Sequence, residues 1–180
     1  MTFTRMDQST AEEWGHIGVE HIKEQEQVAE HVLGLLRSLS NLVGGFAVDQ
    51  LTHCLQTATR AEEDGADDEF VIASLCHDVG KAISVPNHPA IAAEILRPYV
   101  RDEVYHVIRT HQDFQGRHYY HHFGKDPDAR DQYRNEPWFA MGERFADTYD
   151  QNSFDPDYPT KDLAHFEPRV RELFGRANLI

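Results

Sequence analysis

The chain has 180 residues, 40% of them hydrophobic, and its 31 acidic against 17 basic side chains leave a formal charge of −14. That length and apolar content suit one compact domain with a real core. The negative charge argues against nucleic acid or an anionic membrane surface as partner, because both repel a polyanion at long range.

From Thr10 to about Leu42, Val28, Val32, Leu35, Leu36 and Leu39 recur at three- and four-residue steps among Glu and Gln, the period of an amphipathic helix, and Gly44-Gly45 ends it. A second helix, roughly Val48 to Glu63, carries His53 on the face marked by Leu51, Leu55 and Ala58, and Asp64-Gly65 breaks it. Phe70 to Val79 is a third, apolar helix that brings His77 and Asp78 to its end. Asn87-His88-Pro89 opens a fourth through Ile91, Ile95 and Leu96, which Pro98 stops. Residues 101–111 give a fifth, with Val104, Val107 and Ile108 inward and His111 at its C-terminal end. The stretch 112–137 is polar, aromatic and aperiodic, and is read as a functional loop. A last core helix, about Trp138 to Gln151, places Asp150 near its end, and Leu163, Phe166, Val170 and Leu173 mark a packing helix. No alternating strand signal or repeat appears, so the expected class is all-α, a helical bundle.

Residues 1–180 are accordingly read as one domain: an N-terminal helical segment (1–42), a metal-binding core (43–155) and a C-terminal packing helix (156–180). No window approaches the roughly 18 apolar residues of a spanning helix, and the polar start lacks a signal peptide's apolar run. Cys54 and Cys76 sit in apolar sequence without a CxxC or disulfide-like spacing and read as small core residues of a reducing compartment. The expectation is a cytoplasmic protein.

The chemistry lies in His53, His77, Asp78, His88, His111 and Asp150. Four imidazoles and two carboxylates can hold two metal ions, and the two oxygens of Asp78 can bridge them. His53 stands 24 residues before His77, the length of one helix, a connection and a second helix, so its ring can return to the same point. Imidazole-rich ligation favours iron, manganese or zinc over magnesium, and spacing does not choose among the three. Lys81, three residues after Asp78, places a point charge beside the pair, unless it is a solvated helix-end lysine. His16, His21 and His31 fall on a charged helix and read as solvated, as does the acid run Glu62-Glu63-Asp64. The cluster His118-Tyr119-Tyr120-His121-His122 reads as lining an entrance or contacting a partner rather than as a third metal site, and Trp14 and Phe3 as packing the N-terminal arm over the domain.

With these residues in hand, the chain resembles the HD-domain superfamily, whose defining elements match His53, His77-Asp78 and Asp150. Over roughly residues 41–174 it looks like the mixed-valent di-iron oxygenases, the branch of inositol oxygenase and the phosphonate-cleaving oxygenases, because His88 and His111 fall where that branch ligates a second metal. The final ligand has two candidates: Phe145-Ala146-Asp147 resembles the ending of many HD hydrolases, whereas Tyr149-Asp150 with Pro156 six residues on resembles the oxygenases, and Asp150 is preferred. The resemblance implies two iron ions, Fe2+ and Fe3+, dioxygen as co-substrate, and an organophosphonate whose carbon–phosphorus bond is cleaved. Lys81 matches a phosphonate contact of those enzymes, with Arg117 and His118 as weaker candidates. Where the aminophosphonate enzymes carry Tyr and Glu ahead of the first ligand, this chain has Val43 and Phe46, which suits a trimethylammonium group held by aromatic faces, Phe46 with Tyr119, Tyr120 or Trp138. That points to 1-hydroxy-2-(trimethylammonio)ethylphosphonate, with the unmethylated 2-amino-1-hydroxyethylphosphonate and an HD phosphohydrolase of phosphate esters as alternatives. A homodimer is left open.

Overall fold

The structure is a computed structural model that describes residues 2–176. Helix α1 (Ala11–Gln25) starts at a capping box, in which Thr10 Oγ1 accepts from the Glu13 amide and the Glu13 carboxylate accepts from the Thr10 amide. It buries no residue, and Trp14 is 45% exposed, its indole donating to Ser9. The single helix expected from Thr10 to Leu42 is therefore two. The polar run through Glu26-Gln27 offers no face to bury, and α2 (Val28–Ser38) begins there with the apolar period that the sequence displays.

The centre of the fold is the pair α3 (Gln50–Glu63) and α4 (Asp68–Cys76). Asp49 caps α3 by accepting from the Thr52 amide, and Gly65, at φ +77°, supplies the left-handed residue just past its end. In α4 every residue from Phe70 to Cys76 is buried, as in a helix that is apolar all round. A second pair, α5 (His88–Leu96) and α6 (Asp102–Tyr119), packs against it. Helix α7 (Phe139–Arg144) runs without a break into a π-helical turn (Phe145–Asp150) seated on α3 and α6, and α8 (Leu163–Phe174) closes over α2 and α4. Among the described residues there is no strand, and no helix is long and apolar enough to cross a membrane. The expected C-terminal packing helix is α8; the last residues of the stretch, 177–180, lie outside the described part.

One boundary differs from the sequence reading in a way that matters for the site. His111 is not at the end of its helix, because α6 continues two turns to Tyr119. Phe114 is fully buried, and Gly116 lets the Tyr120 ring come so close that a Cβ there would lie 2.5 Å from it. These contacts hold a helix through residues whose polarity hides its period. The expected 112–137 loop is thus reduced to its later part, which itself holds short 3-10 turns at Tyr120–Phe123 and Ala129–Tyr133.

Candidate metal centre

Each of the four histidines donates through Nδ1 to a backbone carbonyl: His53 to Ser153 (2.9 Å), His77 to Ser74 (2.8 Å), His88 to Val85 and His111 to Ile108 (both 2.7 Å). A carbonyl can only accept, so Nδ1 carries the proton and Nε2 presents a lone pair, the tautomer and orientation of a metal-ligating imidazole. Those lone pairs meet in twos. His53 and His77 face each other with Nε2 atoms 3.1 Å apart, and His88 and His111 do the same at 3.3 Å. Two lone pairs at that distance repel unless a cation lies between them.

Asp78 stands between the two pairs. Its Oδ2 is 3.4 and 3.5 Å from Nε2 of His53 and His77, and its Oδ1 is 3.0 and 3.5 Å from Nε2 of His88 and His111. Asp150 adds Oδ1 at 3.2 and 3.6 Å from His53 and His77. All six side chains are buried, yet among the described residues Asp78 Oδ1 and Asp150 Oδ2 have no hydrogen-bond donor. Orphaned buried carboxylate oxygens are costly, and the donor set fits two cations that would satisfy oxygens and nitrogens together. Among the described residues the groupings of His, Cys, Asp and Glu able to hold a metal both fall inside this cluster, His53-His77-Asp150 and His77-Asp78-His111.

The titration behaviour agrees with a site that attracts positive charge. Burial opposes ionisation of Asp78 and Asp150, but positive charge on the facing imidazoles, His77 first, holds both carboxyls well below the usual range; where the rings are neutral, a cation would have to supply that charge. Burial would lower His77, yet the charges of Asp78 and Asp150 raise it; His111, where burial prevails, is lowered. Burial likewise drives the thiols up, Cys76 to about 12 and Cys54 well above its ordinary value, as befits inert core cysteines.

Local sequence explains the placement. The turn after α4, Val79–Ala82, brings Gly80 against the start of α5, where an added Cβ would lie 2.3 Å from the His88 carbonyl oxygen; glycine there is what allows His88 to sit beside Asp78. The π-helical turn, a feature frequent at functional sites, widens the last turn so that Asp150 enters the cluster. Asp147 instead faces outward, accepting from Arg130 at 2.9 and 3.1 Å and contacting His118 at 2.9 Å. Geometry therefore puts Asp150, not Asp147, among the histidines.

The residues expected around a substrate divide. Lys81 Nζ donates to Asp78 Oδ2 (2.5 Å) and Gln50 Oε1 (2.7 Å), with one donor direction left. Phe46, 48% exposed, stacks on Phe154 (centroids 4.7 Å), which in turn stacks on His53 (4.3 Å), so an aromatic column runs from the surface to the cluster. Arg117 and His118 are not brought there: Arg117 is exposed and ion-paired to Asp128, and His118 is held by Asp147. Helix α6 turns Arg117 away from the His111 face and carries His118 two turns past it. Tyr120 and Trp138 are buried in packing, Trp138 stacked on His106, and of the three aromatics only Tyr119 is half-buried, its phenol pushed up chiefly by burial. His121 and His122 are exposed and lie outside the cluster.

Three neighbours escaped the sequence reading: Gln50, Phe154 and Gln115, whose Nε2 donates to Asp150 Oδ1 at 2.8 Å. Gln50 and Gln115 sit three before His53 and four after His111, on the same helical faces, and that spacing was legible. Nothing in the sequence marks Phe154.

The fold and this cluster define a helical domain with a buried His/Asp group able to hold metal. The HD domain family model matches residues 51–147, more than half of the chain, and the chain belongs to the HD domain family, whose members are generally metal-dependent enzymes. The match stops at Asp147, three residues short of the aspartate that joins the cluster. A search among curated proteins finds no match.

Proposed function

We propose that the protein is a di-iron oxygenase that cleaves the carbon–phosphorus bond of 1-hydroxy-2-(trimethylammonio)ethylphosphonate, giving glycine betaine and phosphate. The observation that carries the reading is Asp78 directing one oxygen at each of two inward-facing histidine pairs. In this reading His53, His77 and Asp150 would hold one iron and His88 and His111 the other, with Asp78 available to both. When bound, a mixed-valent Fe2+/Fe3+ pair would supply dioxygen activation and Lewis acidity.

The chain's own residues then have distinct tasks. Backbone carbonyls of Ser153, Ser74, Val85 and Ile108 keep the four rings oriented. The remaining donor direction of Lys81 offsets phosphonate charge, which matters in a protein of net charge −14. The exposed face of Phe46, backed by Phe154, offers a π surface to a quaternary ammonium, which has no hydrogen to donate and gains nothing from a carboxylate's acceptor geometry. For that reason the trimethylated substrate is preferred over the primary amine. The overall change balances with one dioxygen and no external reductant: the hydroxylated carbon becomes a carboxylate, phosphorus leaves as phosphate, and both oxygen atoms are taken up. We further place the protein in the cytoplasm, acting on a small molecule.

The test is phosphate release from (R)-1-hydroxy-2-(trimethylammonio)ethylphosphonate by iron-loaded protein, with and without dioxygen. Dioxygen-dependent release with glycine betaine as co-product is expected. No release in air by protein holding two irons would reject this substrate, and turnover of phosphate esters without dioxygen would assign the centre to hydrolysis.

A further inference from the structure

Asp150 is delivered by a π-helical turn on a short side chain with two free torsions, and its backbone alone does not fix where its oxygens point. What fixes them comes from another helix. Gln115 lies one turn beyond His111 on α6, half-buried, and donates from Nε2 to Asp150 Oδ1 at 2.8 Å, the oxygen that also faces His53 and His77. Among the described residues Asp150 Oδ2 has no donor, and Gln115 supplies the one hydrogen bond to this carboxylate from outside the histidine cluster.

We infer that Gln115 is a positioning residue that orients the Asp150 carboxylate towards the His53–His77 pair and so sets the metal affinity of that position alone. The inference rests on the metal-centre reading above. The chemistry of the donor favours it. A neutral amide gives one hydrogen to one lone pair of Oδ1 and leaves the carboxylate's full negative charge for a cation, whereas a lysine or arginine in its place would offset part of that charge. Lys81 makes that charged contact to Asp78, the carboxylate shared by both positions. Helix α6 thereby serves both positions by different means: His111 enters one directly, and Gln115 steadies a donor of the other. Gln115 makes no hydrogen bond to His88, His111 or Asp78, so its loss should be felt on one side only.

Co2+ titrations followed by visible absorption, with equilibrium dialysis for stoichiometry, separate the two positions. The proteins compared are wild type, Gln115→Met, Asp150→Ala, the Gln115→Met/Asp150→Ala double variant, and His88→Ala to mark the other position. Methionine keeps the volume of glutamine and removes the donor. We expect Gln115→Met to weaken one position by about 10–100-fold, the range for loss of an outer hydrogen bond to a metal ligand, and to leave the other unchanged. In the Asp150→Ala background the same substitution should change nothing further, a non-additivity that a general packing defect would not produce. Wild-type affinities in Gln115→Met, or equal weakening of both positions, would overturn the inference while leaving the metal centre standing. Failure of the wild type to bind two Co2+ would overturn the metal-centre reading itself, and this inference with it.

Discussion

Gly80 is the residue on which the second histidine pair depends, and Gly80→Ala measures that dependence. An alanine Cβ would lie 2.3 Å from the His88 carbonyl oxygen, 2.8 Å from its Cα and 2.9 Å from its carbonyl carbon. These are backbone atoms, which no rotamer change can move aside. Reaching ordinary contact at 3.4 Å requires the turn after α4 and the start of α5 to separate by about 1 Å. Overpacking of this kind costs about 1–3 kcal/mol, or about 2–12 °C in Tm for a domain of this size. The same displacement acts on the 3.0 Å approach of His88 Nε2 to Asp78 Oδ1, so the His88–His111 position should lose metal before the His53–His77 position does. Differential scanning calorimetry and metal analysis of purified Gly80→Ala read both effects. An unchanged Tm together with full loading of both positions would refute the reasoning.

Four further outcomes follow from the geometry. Asp150→Asn should lose one metal equivalent, whereas Asp147→Asn, which changes only the part-buried pair with Arg130 outside the cluster, should keep both; metal analysis of the two side by side decides. Phe46→Glu should lower kcat/KM for the trimethylammonium substrate by about 2–5-fold relative to the primary amine, the scale of an exposed cation–π contact, and unchanged selectivity would remove the aromatic column from substrate recognition. Glu62 receives hydrogen bonds from Lys161, His165 and Arg169, which overcome its burial and hold its carboxyl at about 2. Its stabilising share is therefore complete above the ordinary carboxylate range and vanishes as pH falls through that range towards 2, so the Tm gap between wild type and Glu62→Gln should close over that interval. Adding Fe2+ or Co2+ to chelator-treated protein should raise Tm, by mass action on a site that only the folded chain assembles, and a flat response would count against metal binding at the cluster.

How much of this was readable beforehand differs by element. Helices α3 and α5 announced themselves through their breakers, Asp64-Gly65 and Pro98, and through an apolar period that survives one histidine on the inner face, whereas the cap at Asp49 was not read. Helix α6 was cut short because its last two turns are held by one buried ring, Phe114, and by the close approach of Tyr120 to Gly116, contacts made in three dimensions that leave almost no period in Gln112-Asp113-Phe114-Gln115-Gly116-Arg117. That truncation hid Gln115 and wrongly freed Arg117 and His118 for the site. The break between α1 and α2 was missed for the opposite reason, since a run of good helix formers shows no boundary when neither side is buried. The order of donors along the chain marked the six cluster residues, but the choice between Asp147 and Asp150 depends on a π-helical turn that local propensity does not encode.

In the proposed centre Asp78 joins two metals. Iron content per chain and low-temperature electron paramagnetic resonance of the iron-loaded protein after one-electron oxidation test it most directly. The account predicts two irons and an exchange-coupled mixed-valent signal that Asp78→Asn abolishes. A single iron per chain, or two irons whose ferric signal shows no coupling, would contradict it.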